Sequence, residues 1–326
     1  MAYTMNLHEN REIFLQLIRL AAAHFNMATI YIEKDYWLSY SLQRMAKNKN
    51  ADKVVFKGGT ALAKAYRLTN RFSEDIDIAV IEALSMTGNQ LKMLIKRLAK
   101  DMADGLEENV VKGITSKGSR FYKTIYNYPS IVDIAQQPTV KQGQMLIEIN
   151  TYANPYPYIK QEITSFIADY LASINRHDLV EQSDLKPFII NVLDKRRTIV
   201  EKTVSLLRFS FSENITVALS GKIRHFYDLY YLLNANECAE YVKSSAFYGD
   251  LQELFANDQK EFDTPLGWTE KTIAESPLLY EFPTLWQSLR LIYQTELRPL
   301  AYTEIPDEKN IENTILQLIE RIKEGS

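Results

Sequence analysis

Residues 56–78 constrain this chain more than any other stretch. Phe56-Lys57-Gly58-Gly59-Thr60-Ala61-Leu62-Ala63-Lys64 is followed shortly by Arg71-Phe72-Ser73-Glu74-Asp75-Ile76-Asp77-Ile78. Val54-Val55-Phe56 reads as a short apolar strand. The glycine pair frees the backbone for a tight turn, and Thr60 reads as the N-cap of a helix running to Leu68. Asp75 to Ile81 reads as the next strand. Residues two apart on a strand share a face, so Asp75 and Asp77 emerge together while Ile76 and Ile78 enter the core. Such a stretch requires a sheet with helices packed against it.

These residue types carry a definite chemistry. Two carboxylates side by side repel each other unless a cation neutralises them. Magnesium takes oxygen ligands and keeps positions open for phosphate oxygens. Asp-x-Asp alone is common and is better explained by a solvated strand edge. Met145-Leu146-Ile147-Glu148-Ile149-Asn150 adds a third acid on an apolar strand. Taken alone, Glu148 reads as a surface residue; beside the aspartates it completes a two-metal set. Gly58-Gly59-Thr60 offers backbone N–H groups and a hydroxyl at a helix start, a phosphate cradle. Lys64 lies one turn on, on the Thr60 face, either reaching a phosphate or solvated. The glycine turn lacks the longer Walker spacing. Its closeness to Asp-x-Asp is what makes the combination specific.

The remaining chain sorts into three parts. Residues 9–47 read as helical, from the spacing of Ile13, Leu17, Leu20 and His24 and then of Tyr36, Trp37, Tyr40 and Met45. Residues 88–108 read as a helix, and 120–126 and 145–150 as strands, punctuated by Gly113, Gly118, Pro129, Pro138 and Gly143. After Pro155 and Pro157 the segments 160–174, 194–210, 222–236, 240–256 and 309–324 read as helices, and 263–283 as a loop. The expected division is N-terminal helices packing on the core (1–50), a mixed strand and helix core (51–155) and a helical C-terminal domain (156–326).

Bulk properties exclude some classes. With 326 residues and 46% hydrophobic content, the chain can bury a sizeable core. A net charge of -3 argues against coating nucleic acid through bulk charge and leaves room for a local basic groove. A single cysteine, Cys238, excludes a disulfide framework and a cysteine zinc cluster, and fits a reducing cytoplasm. Met1 to Arg11 has no apolar signal core, and no apolar run is long enough to span a bilayer. The expectation is a soluble cytoplasmic protein.

A second basic set lies in the C-terminal half. Lys195, Arg196, Arg197, Lys202 and Arg208 share one expected helix; Lys222, Arg224 and His225 open the next, with Asp228 one turn on. A solvated face accounts for Lys195 to Arg197. Lys202, at the edge of an apolar stripe, is better placed to neutralise phosphate charge. Asp228 either orients Lys202 or Arg224, or pairs with Arg224 on the helix surface. Arg120, Tyr122, Lys123, Tyr126 and Tyr128 mix cations with rings that can stack RNA bases, although packing is the commoner use of such tyrosines.

Taken together, these segments resemble the AbiEii/AbiGii nucleotidyltransferase toxin family, which includes the MenT-like toxins of type IV toxin–antitoxin and phage abortive-infection systems. The likeness lies in Lys57 to Leu62, Arg71 to Asp77, Leu146 to Asn150, Glu201 to Arg208 and Lys222 to Leu229. It implies an α+β fold: a polymerase-β-like core with a mixed sheet and flanking helices, plus a mostly helical C-terminal domain. It implies metal-dependent transfer of a nucleotide from an NTP, with Mg²⁺ or Mn²⁺, to an acceptor RNA, the tRNA 3′ end. A protein hydroxyl as acceptor, or a non-catalytic nucleotide-binding module, are the alternatives. The implied partner is an antitoxin that forms no stable complex with the toxin.

Carried onto this chain, Gly58, Gly59 and Thr60 match the phosphate-binding turn, Asp75 and Asp77 the metal ligands, Lys202 the lysine of the third motif and Asp228 the acid of the fourth; Glu148 joins the metal set from the strand reading above. Gly58, Gly59, Thr60, Lys64, Ser73, Arg208, Lys222 and Arg224 are the candidate nucleotide contacts. The family's fourth motif commonly reads Arg-Asp-x-x-Asp, whereas here His225 stands at the first acidic position.

Overall fold

A computed structural model describes residues 5–133 and 142–325; the punctuating Pro138 lies outside them. The chain divides into two compact units. The first comprises Met1–Arg67 and Phe72–Leu193, the second Leu68–Arg71 and Asp194–Ser326. This boundary lies beyond the residue-155 division read from the prolines, because two further strands join the first unit's sheet.

The first unit begins with α1 (Arg11–Phe25) and α2 (Thr29–Lys47). The expected helix over 9–47 is interrupted at Asn26, which takes a left-handed conformation (φ 53°) and closes α1 as asparagine tolerates. Next come β1 (Val54–Lys57), α3 (Gly58–Lys64), β2 (Asp75–Val80), α4 (Gly88–Met102), β3 (Glu107–Asn109), β4 (Ser116–Lys117), β5 (Phe121–Asn127) and β6 (Gln144–Asn150). The unit ends with β7 (Tyr158–Ile163), α5 (Phe166–Ser173), α6 (His177–Gln182) and β8 (Phe188–Leu193). The strands form one mixed sheet in the order β3-β5-β6-β2-β1-β8-β7, with β4 on β5. Residues 160–163, expected to open the helix over 160–174, lie instead in the edge strand β7, paired antiparallel with β8.

Local sequence accounts for these elements. α4 starts at a capping box formed by Thr87 and Gln90. It buries Leu91, Leu94, Ile95, Leu98 and Met102, one stripe at helical period. On β2, Ile76 and Ile78 are fully buried. α2 is buried almost throughout, even at Glu33, Lys34 and Asp35, so these charges need internal partners.

The second unit is helical: α7 (Lys195–Phe209), α8 (Ile215–Ser220), α9 (Ile223–Leu233), α10 (Asn236–Lys243), α11 (Ser245–Glu261), α12 (Pro277–Leu297) and α13 (Glu308–Gly325). The expected helix over 240–256 is divided at Ser244. The expected loop over 263–283 is shorter, because α12 begins at Pro277 and carries Pro283 inside it. Proline suits a helix's first turn, where its missing N–H costs nothing. The α+β expectation holds: a mixed sheet with helices, and a helical second unit. Among the described residues, no single helix is long and apolar enough to cross a membrane.

Candidate active site

The sheet of the first unit builds a charged row from four neighbouring strands. Lys57 on β1 is the register partner of Asp77 on β2, Asp77 of Glu148 on β6, and Glu148 of Lys123 on β5. Register partners project to the same face, with side chains about 4.5–5.5 Å apart at Cβ. The row therefore reads cation, anion, anion, cation. Lys123 Nζ lies 3.2 Å from Glu148 Oε2. Asp75 occupies the same face two residues before Asp77, beside Leu146. The sequence expectation that these three acids share one face is thus met by strand register.

The glycine turn closes on this row. Gly58 has φ 78°, in the left-handed region, and a Cβ there would collide with the Asp77 carboxylate. Only glycine lets the backbone approach that oxygen so closely. The first N–H groups of α3 have no carbonyl one turn earlier in the helix. Thr60 is not the N-cap expected; Lys57 precedes the first helical residue, Gly58. Thr60 is 2% exposed. Its hydroxyl donates to the Asp75 carbonyl and lies 2.8 Å from the Ser73 hydroxyl. Thr60 and Ser73 therefore fasten α3 to the start of β2.

Lys64 does not stand in solvent beside the turn. Its ammonium is buried and pairs with Asp35 Oδ1 at 2.5 Å, while also donating to the Thr164 carbonyl at 3.1 Å. The spacing that puts it on the Thr60 face puts it on an inward face, toward α2. Asp35 also accepts the Phe166 N–H at 2.8 Å. Burial raises the Asp35 pKa, against the opposing pull of Lys64.

α2 supplies further partners that a sequence reading misses. Lys34, 1% exposed at its side chain, donates to Glu74 Oε1 at 2.5 Å, directly before Asp75. Glu33 accepts from the Ser130 hydroxyl and the Ile131 N–H, both at 2.6 Å. A run of three charges on a helix ordinarily signals a solvated face; here each member is an internal tie. Tyr122, Tyr126 and Tyr128 are buried, and the Tyr122 and Tyr126 hydroxyls share a 2.5 Å hydrogen bond. They pack, as the commoner reading has it.

The donor set on the sheet is all carboxylate oxygen, which suits a hard divalent cation. Among the described residues, no three His, Cys, Asp or Glu side chains are drawn together into a ready cluster. The shared face of Asp75, Asp77 and Glu148 rests on register.

In the second unit one member of the basic set, Lys202, enters a buried centre. Asp228, fully buried, accepts from Arg71 Nε at 2.8 Å and from an Arg71 terminal nitrogen at 2.7 Å, and pairs with Lys202 Nζ at 2.7 Å. Burial alone would raise the Asp228 pKa; Arg71 and Lys202 together hold its carboxyl below the ordinary carboxylate range. Asp228 thus orients Lys202, one of the two expected outcomes. The surface pair with Arg224 is replaced by Arg71, a residue the sequence reading passed over.

Arg208 is committed elsewhere, donating to the Thr264 carbonyl at 2.6 Å with its guanidinium over Phe262. Lys222 lies over the Phe209 ring at 4.4 Å, and Arg224 is partly exposed on α9. The His225 Nδ1 is buried without a hydrogen-bond partner among the described residues. Burial, then Lys202 and Lys222, push its pKa well below the ordinary imidazole value. A neutral ring therefore stands among cations at this position.

The family model for the nucleotidyl transferase AbiEii toxin of the type IV toxin–antitoxin system matches residues 40–311. No curated protein matches the chain. Among solved structures, the chain is similar to a candidate nucleotidyltransferase from H. pylori. The identity is 16% and the TM-score 0.37, over 82% of this chain and 97% of that one.

Proposed function

This chain belongs to the AbiEii nucleotidyltransferase toxin family of type IV toxin–antitoxin systems, and on that premise we propose that it transfers a nucleotide from an NTP to the 3′ end of tRNA. The observation that carries this reading is the approach of Gly58 to Asp77, with Asp77 in register with Glu148 and Asp75 on the same face. That arrangement offers backbone donors for phosphate next to a set of hard oxygen donors.

In this reading the backbone at Gly58 and Gly59 receives the NTP phosphates. Thr60 and Ser73 hold the turn against β2 instead of touching substrate. Asp75 and Asp77, with Glu148 beside them, would hold Mg²⁺ or Mn²⁺, which supplies charge neutralisation at the phosphates. Glu148 orients the acceptor hydroxyl and takes its proton. The hydroxyl oxygen bonds to the α-phosphorus, the bond from that phosphorus to the β-phosphate's bridging oxygen breaks, and pyrophosphate leaves. Catalysis of this kind is mainly positioning and electrostatics. The family carries an antitoxin partner; the proposed form of that pairing is control without a stable complex.

The test is to offer each labelled NTP with total tRNA and, separately, with lysate protein. Label at the tRNA 3′ end, lost on RNase treatment, supports the reading. Label that survives RNase and is lost to protease moves the acceptor to protein and overturns the tRNA assignment.

A further inference from the structure

We propose that a cleft beside Asp75 receives the terminal nucleotide of the RNA acceptor, its base lying on Leu146 and Ile125 and its edge read by Gln144. The proposal rests on the nucleotidyl-transfer reading above and names the acceptor's seat within it. The cleft has a volume of about 220 Å³ and lies wholly in the first unit. It is smaller than the ~300–1,000 Å³ typical of drug-sized ligands. That size suits one base with its ribose better than a whole NTP.

Strand register relates the cleft to the acids. Asp75, Leu146 and Ile125 form one lateral row, and Asp77, Glu148 and Lys123 the next on the same face. Adjacent same-face rows are two residues apart, about 6.6 Å along the strands. A ring lying on Leu146 and Ile125 therefore sits beside the row that carries Asp77, Glu148 and Lys123. Ile114 adds an apolar wall.

The polar rim suits a nucleotide. Gln144 presents both amide donors and an acceptor, the groups that read a base edge in unpaired RNA. Lys123 is about a third exposed and lies 3.2 Å from Glu148. An ammonium has three donors, so Lys123 can hold Glu148 and still meet a backbone phosphate. Lys34, also lining the cleft, is buried and tied to Glu74, so it fixes the wall. An unpaired base edge and a backbone phosphate together use the Gln144 amide and the Lys123 ammonium.

The experiment uses the full chain, its Ile114→Trp and Gln144→Ala variants, and Asp77→Ala. Circular dichroism verifies each fold. Two quantities are read: the KM values for tRNA and for NTP, and the affinity for a short single-stranded RNA oligonucleotide without NTP. The expected result is a tRNA KM raised roughly tenfold or more in both cleft variants, as for loss of one seated base, with the NTP KM unchanged. Oligonucleotide affinity falls in parallel, while Asp77→Ala binds RNA like the wild type. A tRNA KM that stays at the wild-type value in folded cleft variants overturns the cleft and leaves the transfer reading standing. RNA binding that depends on the cleft in a wild type that transfers nothing supports the cleft and contradicts the transfer reading. A wild type that neither binds nor labels RNA overturns both.

Discussion

Gly58 and Asp77 are so close that a side chain on the first would occupy the carboxylate of the second. The backbone at Gly58 is also left-handed. Gly58→Ala therefore suffers twice. The left-handed conformation costs roughly 1–2 kcal/mol with a Cβ present, and the Asp77 side chain must turn away. Small misplacements at a reacting centre cost about 100-fold in rate. The expected outcome is a folded protein, slightly less stable to urea, whose transferase rate falls about 100-fold. Gly58→Ala with wild-type turnover would show that the close approach is incidental.

Asp228 is the only described carboxylate placed between the buried Arg71 and Lys202. Breaking a buried pair by removing one partner costs about 3–5 kcal/mol, because the remaining charge is stranded. Asp228→Ala removes the carboxylate that both cations share. Urea unfolding is expected to show a loss of at least that order, with Asp228→Asn intermediate. An Asp228→Ala protein as stable as the wild type would mean that water reaches this centre.

Lys64 tests structure against substrate binding. Its partner Asp35 is buried with it, so Lys64→Met should lower stability by about 3–5 kcal/mol. The folded fraction should keep the wild-type KM for NTP. The double variant Lys64→Met, Asp35→Leu should recover much of the lost stability, since apolar replacement of a buried pair is often neutral. A raised NTP KM with unchanged stability would return Lys64 to the phosphate site.

His225 sets a pH dependence. Its folded-state pKa is depressed by burial and by Lys202 and Lys222, with Asp228 opposing and Arg71 adding to the effect. The unfolded ring takes a proton near pH 6.5 while the folded ring stays neutral. The stability contributed by neutral His225 is thus complete above about pH 6.5 and declines as pH falls below it. His225→Gln should lose less stability on acidification through that window than the wild type. Identical acid profiles would place a charged ring in the fold.

Much of the carboxylate face of the sheet was legible because its signals are local. The glycine pair, the Asp-Ile-Asp-Ile alternation and Glu148 between two isoleucines each follow from strand periodicity. α7, α9 and α13 followed from helical spacing. What stayed hidden depends on partners distant in sequence. Arg71 meets Asp228 across 157 positions. The charges of Glu33, Lys34 and Asp35 look solvated until Ser130, Glu74 and Lys64 are set beside them. The same holds for Arg208, which a sequence reading gives to the nucleotide and the fold gives to Thr264. β8 was missed because Phe188 to Leu193 has no alternation, and β7 because its edge position leaves it mostly polar outside Ile159 and Ile163.

The most direct test compares wild type with Asp77→Asn, which keeps the side chain's shape and removes its charge, in labelled-NTP transfer to tRNA. The folded variant is expected to transfer essentially nothing while the wild type labels the RNA 3′ end. Wild-type labelling by a folded Asp77→Asn protein would contradict that expectation.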